Sequence, residues 1–187
     1  ALYLPDVLPI LIVCPGPITR SNTPGQCGAV VTFTVTATDN CTASPVIVSS
    51  PPSGSFFSVG TTPVTAIATD AALKADTCQF NVTVIDSQPP VIVLPAKDPK
   101  TGLPNFNVNT DVDSCIAWVV LDTLHSVYAH AHDNCYGERD VTYWHDKVKI
   151  AGNPPLRRFE KGTDAIDVIA SDLLGNADTS TFTVTVN

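Results

Sequence analysis

Hydrophobic and polar side chains alternate with a period of two along much of the chain. From Val31 to Thr38 the order is Val-Thr-Phe-Thr-Val-Thr-Ala-Thr. Successive strand side chains point to opposite faces, so this pattern predicts a half-buried β-strand. Val64–Thr69, Phe80–Val84, Ile166–Ala170 and Phe182–Val186 repeat it. Pro51-Pro52-Ser53-Gly54 and Asn153-Pro154-Pro155 read as turns between strands. Sixteen prolines and the absence of a helical hydrophobic period leave short strands and turns as the expected elements.

Two stretches read as copies. Phe57-Ser58-Val59-Gly60-Thr61 and Ala68-Thr69-Asp70 return as Phe159-Glu160-Lys161-Gly162-Thr163 and Ala170-Ser171-Asp172, at a constant offset (159 − 57 = 102). The same offset carries Cys78 onto Ser180 and Phe80 onto Phe182. Upstream, Asp39-Asn40-Cys41 recurs as Asp133-Asn134-Cys135, and Asp6…Pro9 as Asp86…Pro89. We read the chain as two domains, residues 1–86 and 87–187, joined at Pro89-Pro90. Several alternating strands in each predict an all-β fold of two tandem immunoglobulin-like β-sandwich domains. Leu121–Val127 interrupts a copied strand and is itself expected to be strand.

Composition narrows the function classes. The net charge of −8 disfavours nucleic acid and anionic membranes as partners. No apolar run reaches the ~18 residues of a membrane-spanning helix, so no membrane insertion is expected. Residues 1–86 carry seven charged side chains (Arg20, Lys74 and five aspartates) against twenty Ser and Thr, whereas residues 87–187 carry twenty-one charges, eight basic and thirteen acidic. A free soluble domain wears more charge than the first half does. Its faces are therefore expected to be covered, by sugars or by neighbouring subunits.

Comparing the copies assigns the cysteines. The first domain has Cys14, Cys27, Cys41 and Cys78, which permit three pairings. The second keeps Cys115 for Cys27 and Cys135 for Cys41, but has Leu94 for Cys14 and Ser180 for Cys78. Two cysteines lost together imply that they were partners. The expected bridges are thus Cys14–Cys78, Cys27–Cys41 and Cys115–Cys135, at about 4 kcal/mol for the long loop and about 3 for the short one. Free thiols or metal ligands are the alternative, but no C-x-x-C pair exists. Disulfides place the chain in an oxidising, extracellular compartment.

Cys14-Pro15, Cys27-Gly28-Ala29, Thr38-Asp39-Asn40-Cys41, Pro52-Ser53-Gly54-Ser55-Phe56, Val59-Gly60-Thr61-Thr62-Pro63-Val64 and Cys78-Gln79-Phe80-Asn81-Val82 follow one another in order. In this the first domain resembles the hyalin repeat (HYR) domain; the second reads as a divergent copy. The resemblance implies an immunoglobulin-like extracellular module, usually in tandem, associated with adhesion and with matrix or surface structures. It implies no shared active site, and the chain is not expected to be an enzyme or to hold a cofactor.

His130 and His132 share one face of a predicted strand and, with His125 or His145, have metal-ligating side chains. They align with Thr36 and Thr38, on the solvent side, so no metal site is expected. Asp39, Asp70, Asp76, Asp86, Asp133, Asp172 and Asp178 lie near turns, where aspartates bond their own backbone; calcium is the competing reading, without a D-x-D-x-D loop to support it. Asn81-Val82-Thr83 and Asn40-Cys41-Thr42 are glycan-acceptor triplets, with Asn81 expected to face outward. Trp118, Tyr128, Tyr143, Trp144 and the insertions at Asp98–Asp113 and Leu121–His125 are the expected partner-contacting region, with core packing as the alternative for each aromatic.

Residues 1–5 align with Asn81–Ile85, the tail of the first domain's last strand (81 − 1 = 80). Leu2, Tyr3 and Leu4 thus have the pattern of a strand that docks on a neighbouring copy, head to tail, by strand addition. The competing expectation is an excerpt of a longer chain, or a tail packed back locally. The leading functional expectation is a structural subunit or segment of a cell-surface fibre. The alternative is an adhesion or carbohydrate-binding module of a larger surface protein.

Overall fold

The computed structural model describes residues 9–94, 105–110, 115–120, 129–152 and 156–187. Among these residues there is no helix, and the chain divides into two compact units, Ala1–Ser87 and Gln88–Asn187. The segments 121–127 and 153–155 lie outside the described residues, as do Leu2, Tyr3 and Leu4.

The first unit holds β1 (Leu11–Val13), β2 (Ile18–Ser21), β3 (Gly28–Val31), β4 (Thr36–Thr38), β5 (Val46–Ser50), β6 (Ser55–Ser58), β7 (Gly60–Thr69) and β8 (Ala75–Ile85). One sheet runs β2-β8-β7-β5, with β2 parallel to β8 and the other pairs antiparallel. The other layer is made by the pairs β1-β4 and β3-β6. Between the layers, Ala29, Val31 and Phe57 meet Val64, Phe80, Val82 and Val84, and Ile10 and Ile12 meet Ala66 and Ala68. This is the Greek-key sandwich that the alternation predicts, and the strands expected at Val64–Thr69 and Phe80–Val84 lie inside β7 and β8.

The strand expected from Val31 to Thr38 is broken instead. Ser53 Oγ donates to the Phe33 carbonyl at 2.7 Å and accepts the Phe33 N–H at 2.8 Å, so a hydroxyl from the Pro51–Gly54 turn replaces the ladder there. The chain then changes partner: β3 pairs with β6, and β4 pairs with β1. The alternation survives the break, because Phe33 still points inward and meets Phe80 edge-on at 4.9 Å.

The second unit holds β9 (Val91–Val93), β10 (Asn105–Val108), β11 (Ile116–Val120), β12 (His130–Asp133), β13 (Gly137–Arg139), β14 (Val141–His145), β15 (Val148–Lys149), β16 (Leu156–Glu160), β17 (Gly162–Ser171) and β18 (Ala177–Val186). One sheet runs β10-β18-β17-β14-β15, again with a parallel first pair, and the other layer consists of β11-β16 and β13-β12-β9. Phe159, Ala117, Val119, Ala131 and Ile92 of that layer pack on Ile166, Val168, Phe182, Val184 and Tyr143 of the first. Gly60 (φ 117°) and Gly162 (φ 142°) open the long strands β7 and β17 in backbone conformations that a side chain would strain, which explains why Gly-Thr occurs at both places.

Among the described residues β5 ends its sheet, whereas β14 carries the short β15 along its outer edge through a two-residue turn, Asp146 (φ 49°) and Lys147 (φ 63°). Positive φ at both central residues gives the twist that tight hairpins require.

Candidate functional site

Cys14 and Cys78 form a disulfide (Cα–Cα 5.9 Å) that ties the segment after β1 to β8, across the two layers and against the core. The Cys27–Cys41 and Cys115–Cys135 pairings are not formed, since Cys41 and Cys115 are thiols. The reason is the strand between the members of each pair. The carbonyl of Cys27 accepts from Val59, just before β7, while Thr42, next to Cys41, accepts from Ala71, just after β7. The two cysteines therefore sit near opposite ends of a ten-residue strand, roughly 30 Å long at the usual rise. A disulfide needs Cα atoms within about 7 Å. In the second unit Cys115 likewise accepts from Lys161 before β17, and Cys135 lies beyond β12.

The turn aspartates bond their own backbone. Asp39 Oδ2 accepts the N–H groups of Cys41 and Thr42 (2.9 and 2.7 Å), and Asp133 Oδ1 accepts those of Cys135 and Tyr136 (2.8 Å each). The backbone N–H of Cys41 is the largest influence holding the Asp39 carboxyl below its ordinary value. After β7 and β17 the same device recurs. Asp70 Oδ1 accepts from Ala72 and Lys74, and Asp172 Oδ1 from Leu174 and Asn176, all at 2.8 Å. Burial pushes the Asp172 carboxyl upward, but the Asn176 amide at 2.6 Å and the turn N–H groups outweigh it and leave the group below its ordinary value. Asp76 and Asp178 accept from the next residue's N–H. Asp86, buried at the end of the first unit, takes the Asn22 amide at 2.9 Å.

The histidines do not converge. His130 and His132 lie on β12 opposite Val93 and Val91, and His132 faces Glu138 at 3.3 Å. His145 points inward from β14, in the other layer, edge-on to Phe159, with Nε2 against Asp164 (3.1 Å) and Nδ1 against Arg157 (3.1 Å). Because the guanidinium donates to Nδ1, the proton on Nε2 goes to Asp164. His125 lies outside the described residues.

Of the aromatics, Tyr143 is core, meeting Phe182 at 6.3 Å. Trp118 is 57% exposed beside Arg158, and Tyr128 lies outside the described residues. Trp144 is half-buried on the outer face of its sheet, its Nε1 donating to Thr142 Oγ1 at 3.0 Å. Sequence reasoning singled out Trp144 but missed its cross-strand neighbours Asp167 and Lys149, which register alone brings beside it. Asn81 is exposed on β8 between the buried Phe80 and Val82. Asn40 is exposed too, but its amide donates to Cys41 Sγ at 3.0 Å.

The outer face of β2-β8-β7-β5 carries no charged side chain. Cross-strand pairs such as Thr61–Thr83 (3.0 Å) and Gln79–Thr65 (3.1 Å) cover it, with Val46 and Val48 exposed on the edge strand β5 and Ile67 exposed beside them on β7.

The chain is 28% identical over 185 residues to Hyalin of Strongylocentrotus purpuratus, an alignment that covers 96% of this chain and 14% of that protein. The chain thus spans about one seventh of Hyalin's length. Among solved structures it is similar to domains A168–A170 of titin (12% identity, 94% of this chain and 65% of that one, TM-score 0.48). It is also similar to the Ig1-2 module of the Drosophila receptor protein tyrosine phosphatase DLAR (12% identity, 96% and 100%, TM-score 0.32). Residues 5–84, nearly all of the first unit, match the HYR domain family.

Proposed function

We propose that this chain is an extracellular structural protein, a subunit or segment of a cell-surface fibre or appendage built from tandem immunoglobulin-like domains. The observation that carries the reading is the uncharged, hydroxyl-covered outer face of β2-β8-β7-β5, with Val46, Val48 and Ile67 exposed on it toward the β5 side. Such a face is poorly suited to free solution and well suited to burial against a neighbour of the same kind. The match of residues 5–84 to the HYR domain family and the Cys14–Cys78 bridge support an extracellular or cell-surface setting. In this reading Leu2, Tyr3 and Leu4 supply the head-to-tail contact, and glycans at Asn81, and less favourably Asn40, cover part of the remaining surface.

Concentration-dependent light scattering with electron microscopy of the full chain tests it. Growth into filaments that Leu2→Asp/Leu4→Asp suppresses is expected. A monodisperse protein at every concentration refutes the fibre reading. The second reading, carbohydrate recognition by an adhesion module, is favoured by the surroundings of Trp144.

A further inference from the structure

The outer face of the second unit's larger sheet presents one row of side chains across four strands. Lys149 of β15 stands opposite Trp144 of β14, Trp144 opposite Asp167 of β17, and Asp167 opposite Thr181 of β18. Directly paired residues share a face, and neighbouring strands lie ~4.8 Å apart, so the row is about 14 Å long.

Trp144, Asp167 and Thr181 are held in place. The Trp144 indole donates to Thr142, two residues back on the same face, so the ring lies along the strand instead of standing away from it. Thr142 Oγ1 in turn donates to the Ile169 carbonyl at 3.3 Å. Asp167 takes the Thr181 hydroxyl on Oδ1 at 2.8 Å, which leaves Oδ2 as an acceptor.

We infer that this row is a binding platform for a neutral glycan. An aromatic ring carries negative charge on its faces. It therefore attracts the polarised C–H groups on the apolar side of a pyranose. The sugar hydroxyls need acceptors and donors beside the ring, and Asp167 and Thr181 supply them on one side and Lys149 on the other. Lys149 and Asp167 balance one another, and a chain of net charge −8 repels an acidic polysaccharide, so the favoured glycan is uncharged. A protein partner fits less well, because hydroxyls, a carboxylate and an ammonium surround the ring where an interface core would be apolar. The inference deepens the carbohydrate-recognition reading and does not depend on polymerisation.

Native affinity electrophoresis of the full chain in gels containing hydroxyethyl cellulose, galactomannan or xylan tests it. Wild type is expected to be retarded by at least one of the three. Trp144→Ala and Asp167→Ala should weaken that retardation at least tenfold, Trp144→Tyr should restore part of it, and Trp118→Ala should leave it unchanged. Thermal melts establish that each variant is folded, and Thr181→Val replaces any that is not. If wild type binds but the Trp144 and Asp167 variants bind equally well, the platform is wrong while carbohydrate recognition stands. If none of the three polysaccharides retards wild type, both fall.

Discussion

Replacing Cys14 and Cys78 together by alanine isolates what their disulfide contributes. The two positions are separated by 64 residues. In the chain-entropy treatment a loop of that size raises the free energy of the unfolded chain by about 4 kcal/mol. Both side chains are only partly buried, so loss of the sulfur atoms adds a smaller packing term. Set against the usual 5–15 kcal/mol of a folded domain, the change removes a large fraction of the first unit's stability. At roughly 2 kcal/mol per molar of guanidinium chloride for a unit of this size, the midpoint should fall by about 2 M. The assay separates the units because both tryptophans, Trp118 and Trp144, lie in the second. Under non-reducing conditions far-UV circular dichroism follows both units, while tryptophan emission follows the second alone. We expect the circular dichroism transition of the first unit to move and the fluorescence midpoint to stay. A shift below about 0.5 M, or a fluorescence transition that moves with it, would refute the reasoning.

Gly28→Ala should cost the first unit about 1–3 kcal/mol, since a Cβ there would run into the Phe56 ring and the Phe57 carbonyl. Adding Phe56→Ala should recover only part of that, as measured by the same circular dichroism transition. Asp172→Ala should cost the second unit about 1–3 kcal/mol by stranding the N–H groups of Leu174 and Asn176, read from tryptophan emission. The folded Asp172 carboxyl lies below its ordinary value, so its contribution is complete above the unfolded pKa and is lost as pH falls through the folded one. Acid titration of the unfolding midpoint should therefore be shallower in Asp172→Asn. Secreted from a eukaryotic host, the chain should carry a glycan at Asn81 that Thr83→Ala removes, with Asn40 less occupied, as peptide mass spectrometry would show.

Much of the fold can be read from alternation alone, because a strand's inward residues are fixed by the pleat and not by distant partners. The interruption at residues 32–35 is different in origin. Its cause, the Ser53 hydroxyl, lies twenty residues away and is ordinary in composition. The cysteines show the same contrast. Cys14 and Cys78 could be paired because the second copy lacks both, whereas Cys27 and Cys41 are close in sequence yet separated by the length of a sandwich. Trp144 stood out as a residue, but Lys149, Asp167 and Thr181 become its companions only once strand order and register are known. Conversely, the recurring aspartates declared their role in advance, because an Asx turn is a local arrangement that needs nothing from the rest of the molecule.

The bridge between Cys14 and Cys78 also has a mechanical meaning. A pull applied through the ends of the first unit enters ahead of β1 and leaves along β8, so the load passes through the sulfur atoms instead of the intervening chain. Sixty-four residues, on the order of 220 Å of contour, are withdrawn from what stretching could release. Leu94 and Ser180 deny the second unit that particular shunt. Under tension, the first unit is built to yield little length even when its sandwich opens.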